Sequence, residues 1–106
     1  MESSKFKFEE LTVYQKSLDF VDDVNAMTKK FPKYELYGLT SQDKRASVSI
    51  PLNIAEGAGD TDPQFHMYLQ MAWDSIKECL VCSTIVKRQG FITKEDDKTQ
   101  EINHQN

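Results

Sequence analysis

Apolar residues recur every three or four positions along most of the chain, which is the spacing of one face of an α-helix. Thr12 and Gln15 have the spacing of a capping box, so we expect the first helix to start there. Phe31-Pro32 should stop it, because a residue that precedes proline is driven out of the helical conformation. The predicted apolar stripe of this helix comprises Leu11, Tyr14, Leu18, Val21, Val24, Met27 and Phe31.

A second helix is predicted from about Thr40 to Gly57. Pro51 falls inside it, and because proline removes one hydrogen bond and clashes with the preceding turn, we expect a kink in one continuous helix. The connector before it, residues 32–39, carries large apolar side chains, so we expect it to pack over one end of the bundle. The predicted buried side of this helix comprises Leu39, Ala46, Ile50 and Ile54, with Val48 as a further candidate.

A third helix is predicted from Thr61 or Asp62 to Gly90, with a polar cap and a proline at its start and glycine as its C-terminal cap. Its apolar stripe comprises Phe65, Leu69, Ala72, Ile76, Cys79 or Leu80, Ser83 and Val86. Thr93 with Asp96 would open a fourth segment. This segment is weak, because Ile102 is the only large apolar residue after Ile92.

These elements predict an all-α fold, because no strand-like alternation accompanies them. Short connections between amphipathic helices favour antiparallel neighbours. We expect an up-down four-helix bundle with a Pro-kinked second helix and a short, weak fourth helix. At 106 residues the chain has the size of one domain, 1–106, with an ordered core over about 6–92 and a short or frayed segment over 93–106.

Charge and hydropathy narrow the class of protein. The formal net charge is −4 and no segment is basic, whereas nucleic-acid-binding proteins usually cluster Lys and Arg. The first residues carry no apolar run of signal-peptide type, and no stretch approaches the roughly 18 apolar residues of a membrane span. We therefore expect a cytoplasmic protein with no membrane partner.

The candidate chemical groups predict no catalytic, metal or cofactor site. Cys79 and Cys82 have C-x-x-C spacing, but they fall in mid-helix, far from the helix N-terminus that lowers thiol pKa values in redox proteins. His66 and His104 are not spaced as a second ligand pair for zinc. We interpret the cysteines as packing residues and the protein as not an enzyme. Trp73, at the border of the third apolar stripe, is either an interface anchor or a core or rim residue.

The densest motif of the chain runs from Tyr37 to Gly57. Together with the opening Phe8-Glu9-Glu10-Leu11, Tyr14-Gln15-Lys16 and Phe31-Pro32-Lys33, it resembles the four-helix-bundle family encoded by intervening sequences inside bacterial 23S rRNA genes. The relatives of that family include the accessory variability determinant (Avd-like) proteins of diversity-generating retroelements. The resemblance covers about residues 6–92. The motif itself reads Tyr37-Gly38-Leu39-Thr40-Ser41-Gln42, Lys44-Arg45-Ala46, Val48-Ser49-Ile50-Pro51 and Asn53-Ile54-Ala55-Glu56-Gly57.

The resemblance implies a non-enzymatic protein that assembles into a ring-like homopentamer. In the retroelement branch it also implies binding to a reverse transcriptase and to RNA or DNA through basic surface. Asn53 and Glu56 match polar residues of the family, and the alternative is that they satisfy backbone groups near the kink. The candidate nucleic-acid-binding residues are Lys44, Arg45, Lys87 and Arg88, and the candidate structural motif comprises Gly38, Pro51, Asn53, Glu56 and Gly57.

Three sites depart from the family pattern. Leu52 replaces a residue that is usually small in the family. Trp73 and Asp74 replace a basic residue and a small residue, and Asp43 replaces an apolar residue. Because an unpaired charge in a buried stripe is costly, we expect Asp43 to be exposed, or to be matched by Lys44 or Lys87. An alternative function is a protein–protein interaction module without nucleic-acid binding. It is favoured by the excess of acidic over basic residues, by Trp73 and by a groove left by the weak fourth helix.

Overall fold

The computed structural model describes residues 7–99, so His104, Ile102 and half of the predicted fourth segment lie outside the described residues. Between residues 7 and 99 the chain forms three α-helices and no strand: α1 (Thr12–Thr28), α2 (Ser41–Gly57) and α3 (Asp62–Arg88). Short 3-10 turns cover Lys7–Glu10 and Lys33–Glu35, and a π-type turn covers Leu36–Thr40. The all-helical class is confirmed, whereas the four-helix arrangement stays a prediction.

Helix α2 packs against both α1 and α3, and the core lies between the three. A second cluster closes the end of the molecule at which α1 and α3 both end. The main cluster comprises Phe20, Val24, Ala46, Ile50, Ile54, Ala72 and Cys79, and the second comprises Met27, Phe31, Val86 and Ile92. Burying each large apolar side chain stabilises the fold by about 1.5–3 kcal/mol, so these stripes hold the helices together.

Helix α1 starts at Thr12 as predicted, but the capping box is wrong. The residue at the N-cap is Leu11, whose side chain makes no cap hydrogen bond, and Gln15 Nε2 donates to the carbonyl of Glu9 at 2.8 Å instead. The helix ends at Thr28, before the predicted stop at Phe31. The N–H of Phe31 bonds to the carbonyl of Thr28 at 3.0 Å, a tighter turn that carries the ring into the core.

The predicted signals at both ends of α3 are confirmed. The Thr61 side chain accepts a hydrogen bond from the backbone N–H of Gln64 at 3.4 Å. At the other end Gly90 has a φ of 78°, and the N–H of Phe91 bonds to the carbonyl of Val86 at 2.9 Å. This arrangement is a Schellman motif, in which glycine adopts the left-handed conformation that ends the helix.

Helix α2 runs through Pro51 to Gly57 without a break, and a kink at Pro51 stays a prediction. Side chains near the proline hydrogen-bond to carbonyls of the preceding turn. Asn53 Nδ2 donates to the carbonyl of Ser49 at 2.8 Å, and Ser47 Oγ donates to the carbonyl of Lys44 at 2.9 Å. Neither bond reaches the carbonyl of Ser47, which is the acceptor that Pro51 leaves without an intrahelical donor.

The expectation that the connector packs over the bundle is wrong for three of its large apolar side chains. Tyr34 is 76% exposed, Leu36 is 52% exposed and Tyr37 is 92% exposed. The π-type turn explains the exposure of Leu36 and Tyr37, because its backbone bends at Gly38 (φ −112°, ψ −107°) and the Glu35 carboxylate accepts a hydrogen bond from the N–H of Leu39 at 3.1 Å. Leu39 consequently packs on the second core cluster while the two residues before the bend point outward.

The residues after α3 form a turn in place of a helix up to Thr99. Thr93 and Asp96, the residues predicted to open the fourth segment, make reciprocal bonds, Thr93 N to Asp96 Oδ2 at 2.9 Å and Asp96 N to Thr93 Oγ1 at 3.2 Å. The segment is tied to the bundle by an ion pair between Lys30 Nζ and Asp96 Oδ1 at 2.6 Å. In the part of the chain that the structure describes, no helix is long and apolar enough to cross a membrane.

Gly57 provides a test of the contact between α2 and α3. A Cβ at this position would lie 2.7 Å from Tyr68 Cβ and 3.0 Å from Phe65 Cδ1, both on α3. We expect Gly57→Ala to lower the free energy of unfolding by about 1–3 kcal/mol, because one of the two helices must shift. Urea denaturation measures this. The control is Glu56→Ala, on an exposed side chain, which should change stability by about 0.5 kcal/mol or less. Equal effects of the two substitutions would contradict the close contact.

Candidate functional site

The outer side of α2 and the turn before it form an open groove of about 610 Å³, which we call the α2 groove. Its apolar lining is Leu36, Tyr37, Val48 and Leu52, its basic lining is Lys44 and Arg45, and its hydroxyl lining is Thr40, Ser41 and Ser49. No lining residue is acidic, although the chain carries a net charge of −4. The groove is therefore a positively charged and partly apolar surface on an acidic protein.

Helical periodicity explains why these side chains share one side. The inward face of α2 is occupied by buried residues such as Ala46, Ile50 and Ile54. Because 3.6 residues make one turn, Lys44, Val48 and Leu52, which are spaced by four, lie on the opposite side of the helix and face solvent. Val48, a further candidate for the buried side in the sequence, is accordingly 44% exposed.

The structure brings Lys44 and Arg45 together and places Lys87 and Arg88 elsewhere. Lys44 and Arg45 are both exposed in the α2 groove, and neither forms an ion pair within residues 7–99. Lys87 Nζ lies 2.9 Å from Asp97 Oδ2, whose side chain is 1% exposed. Arg88 is exposed at the end of α3. Of the four candidate cations, only the first two line the groove.

The remaining candidate residues lie outside the groove. Pro51 and Gly57 are buried in α2, and Asn53 is half-buried. Glu56 is exposed and makes no hydrogen bond or ion pair with the described residues, and Trp73 is half-buried on α3. A Cβ on Gly38 would meet Glu35 Oε1 at 2.8 Å, so this glycine permits the carboxylate contact that shapes the turn.

Sequence reasoning missed Tyr37 and Leu36 as surface residues. Their apolar character suggested packing, and the bend at Gly38 cannot be read from residue types alone. The signal in the sequence covers α2 alone: Lys44, Val48 and Leu52 are spaced by four positions, the spacing of one helical face. It does not extend to Tyr37, because the backbone bends at Gly38.

A buried acidic group lies on the opposite, inward side of α2. Asp43 is fully buried, and neither of its carboxylate oxygens has a hydrogen-bond partner among the described residues. The expectation that it is exposed or matched is therefore wrong, because Lys44 points outward and Lys87 pairs with Asp97. Burial raises the pKa of Asp43 to about 6, the nearby Cys79 thiol opposes the shift, and the charge of Asp97 adds to it.

The two cysteines belong to the same buried region. Both are free and buried, and the Sγ of Cys79 lies 3.8 Å from the backbone carbonyl of Asp43. Burial, with the nearby charges of Asp43 and Glu78, raises the pKa of Cys82 to about 11, and burial raises that of Cys79 further. The thiols therefore stay protonated at neutral pH and act as small apolar groups. Among residues 7–99, no cluster of three or more His, Cys, Asp or Glu side chains is placed to hold a metal ion.

Asp43 should make the fold less stable as the pH rises. Its pKa is raised in the folded state, so the folded protein binds the proton more tightly than the unfolded chain does. The resulting stabilisation is complete below the unfolded value of 3.8 and is lost as the pH rises through about 6. Relative to Asp43→Asn, the wild-type free energy of unfolding should fall by about 2–3 kcal/mol between pH 4 and pH 7.5.

Urea denaturation across this pH range measures the difference between the two proteins. The control is Asp22→Asn, on an exposed carboxyl of α1, which should show no comparable pH dependence relative to the wild type. A constant difference between wild type and Asp43→Asn at every pH would show that the buried carboxyl does not titrate in this range.

Comparison with known protein families identifies the family of this chain. The family described as 23S rRNA-intervening sequence protein matches residues 9–105. A comparison with curated proteins gave no significant match. The family match spans all three helices, including the whole motif from Tyr37 to Gly57, and covers far more than half of the chain. The chain therefore belongs to the family of 23S rRNA-intervening sequence proteins.

Proposed function

We propose that this protein is a non-enzymatic helical-bundle accessory protein that works as a ring-like homopentamer and binds nucleic acid, a reverse transcriptase, or both. This role would be that of the Avd-like proteins to which the sequence motif is similar. The observation that carries the proposal is the α2 groove. The groove combines the basic pair Lys44 and Arg45 with exposed apolar surface, and its lining contains no carboxylate although the chain has a net charge of −4.

Exposed apolar surface supports the assembly part of the proposal. Single exposed apolar residues are normal, but contiguous ones mark contact surfaces. Outside the α2 groove, exposed apolar side chains lie on two other parts of the surface. A second groove of about 370 Å³ lies between the start of α2 and α3, where Val81 is 58% and Ile85 is 38% exposed, and on α1 Val13 is 46% and Leu18 is 37% exposed. A ring needs two different patches on each subunit, one for each neighbour. These two apolar regions suit that requirement and leave the α2 groove free.

The electrostatics of Lys44 and Arg45 support the nucleic-acid part. Phosphate neutralisation by exposed cations supplies most of the sequence-independent affinity for nucleic acids. These two cations have no competing carboxylate in the groove, whereas Lys87 is already paired with Asp97. Within a ring, each subunit would contribute one such pair, so that several weak contacts would act together on one strand.

The alternative function is a protein–protein interaction module that does not bind nucleic acid. The apolar share of the α2 groove favours it, because Leu36 and Leu52 expose more than half of their surface. The net charge of −4 also favours it, since it repels phosphates over the rest of the surface. The two functions are separated by binding to RNA or DNA at low salt.

The assembly is tested by mass in solution. Light scattering coupled to gel filtration at micromolar concentration should give five times the subunit mass of 12.2 kDa. A mass equal to that of one subunit over this concentration range would contradict the assembly. An oligomer of another size would contradict the pentamer and retain self-association.

Nucleic-acid binding is tested with the double variant Lys44→Ala/Arg45→Ala. We expect fluorescence anisotropy to show salt-sensitive binding of RNA or DNA by the wild type. In the variant the slope of log affinity against log salt should be reduced by about 1–2, because two phosphate contacts are lost. The matched control is Lys29→Ala/Lys94→Ala, which removes two exposed cations outside the groove and should bind as the wild type does. If the wild type bound neither RNA nor DNA at low salt, nucleic-acid binding would be contradicted and the alternative function, a protein–protein interaction module, would remain.

A further inference from the structure

We propose that the α2 groove binds single-stranded nucleic acid by stacking a base on Tyr37, while Lys44 and Arg45 hold the adjoining phosphates. The inference rests on the proposed nucleic-acid binding. It adds the class of ligand, an unpaired strand, and a residue that neither the family match nor the sequence motif assigns to binding.

The exposure of Tyr37 is the first observation. Its side chain is 92% exposed, and the ring contacts no other aromatic ring among residues 7–99. Tyr34, three positions earlier, is also exposed, but its ring packs edge-on against Phe91 with a centroid distance of 6.0 Å. Aromatic rings gain substantially from burial or stacking. Tyr37 is thus a ring available for stacking and lies in the α2 groove, whereas Tyr34, although exposed, contacts Phe91 and lies outside the groove.

The surroundings of Tyr37 are the second observation. The ring lines the same groove as Lys44 and Arg45, together with the hydroxyls of Thr40 and Ser41. Tyr37 lies in the turn that precedes α2, and Lys44 lies in the first turn of α2. An aromatic ring beside cations is the arrangement that single-strand-binding surfaces use, in which bases stack while the backbone follows positive charge.

Charge decides where a strand could lie. The lining of the α2 groove contains no carboxylate, whereas the second groove, between the start of α2 and α3, contains Asp74 and Glu78 with only one cation, Lys77. An acidic surface repels phosphates, so the field of the whole protein directs a polyanion to the only one of these two grooves that lacks negative charge.

The preference for an unpaired strand over a duplex follows from the geometry of stacking. In a duplex the bases already stack on one another, and a protein ring on an open surface reaches only the backbone. A duplex would therefore contact Lys44 and Arg45 alone and would bind weakly, since two cations release few counterions. An unpaired strand can place a base on Tyr37 as well. The groove consequently favours an unpaired strand of RNA or DNA over either duplex.

The test compares Tyr37→Ala, Tyr37→Phe and Tyr34→Ala in the full chain, by fluorescence anisotropy. The probes are a labelled single-stranded RNA, a single-stranded DNA of the same sequence, and the duplex of each. We expect the wild type to bind single strands more tightly than duplexes. Tyr37→Ala should weaken single-strand binding about tenfold, because a stacked base is lost, and Tyr37→Phe should restore it. Tyr34→Ala should leave the affinity unchanged.

The salt dependence provides a second readout. Tyr37→Ala removes no charge, so it should lower the affinity for single strands at every salt concentration while leaving the slope of log affinity against log salt unchanged. Lys44→Ala/Arg45→Ala should instead reduce the slope. Because Tyr37 lies on the surface, circular dichroism of its variants should match the wild type. A preference between the two single strands would identify RNA or DNA as the source of the ligand, and either result supports the inference.

Several outcomes would overturn the inference. If Tyr37→Ala binds as the wild type does while Lys44→Ala/Arg45→Ala is weakened, stacking is wrong and the proposed function stands. Equal affinity of the wild type for single strands and duplexes would likewise show that stacking is wrong, and the proposed function would stand. If Tyr37→Ala changes the mass in solution but not the affinity, the groove is a subunit contact. If the wild type binds no probe at low salt, nucleic-acid binding and the inference fall together.

Discussion

The packing of α2 against its two neighbours is the constraint on which the rest of the structure depends. Small side chains stand where these helices meet: Ala46 and Gly57 on α2, Ala72 and Ser75 on α3. The hydroxyls of Ser49 and Ser75 lie 2.5 Å apart, so the contact is close along the helices as well as at their ends. Once this side of α2 is buried, the rotation of the helix about its axis is fixed. Periodicity then determines which side chains face solvent, and the α2 groove is the consequence.

The same packing buries a charge that the core does not match. Asp43 lies on the buried, inward face of α2, and no described residue hydrogen-bonds to its carboxylate. Asp97 shows the opposite behaviour: although burial opposes its ionisation, hydrogen bonds from Thr99, Lys87 and Ser83 hold its pKa below the usual range. One buried acid therefore destabilises the folded state at neutral pH, while the other is stabilised by the contacts that tie the segment after α3 to that helix.

Most of the fold could be predicted from the sequence, because periodicity and end signals are local properties. The stripes of α2 and α3, the Thr61 cap and the Gly90 stop all reflect residues within one or two turns of one another. The wrong predictions depend on contacts that are distant or specific to backbone shape. Gln15 reaches back to Glu9 in place of capping, and the burial of Asp43 depends on how α3 lies across α2.

The candidate site was predictable to a similar extent and for similar reasons. Lys44 and Arg45 could be placed on the exposed side of α2 from the pattern of buried positions alone. The pairing of Lys87 with Asp97 could not, because it joins α3 to a turn with no periodicity of its own. Tyr37 was misjudged because an apolar residue in a connector ordinarily packs, whereas here a bend at Gly38 turns it outward.

The most direct test of the account is to locate a bound strand by ultraviolet cross-linking and peptide mass spectrometry. A single-stranded RNA should form its main cross-link within the segment that contains Tyr37, Lys44 and Arg45. Cross-links confined to the end of α3 near Arg88, or spread over the surface without preference for α2, would contradict the claim that the α2 groove is the functional surface of this protein.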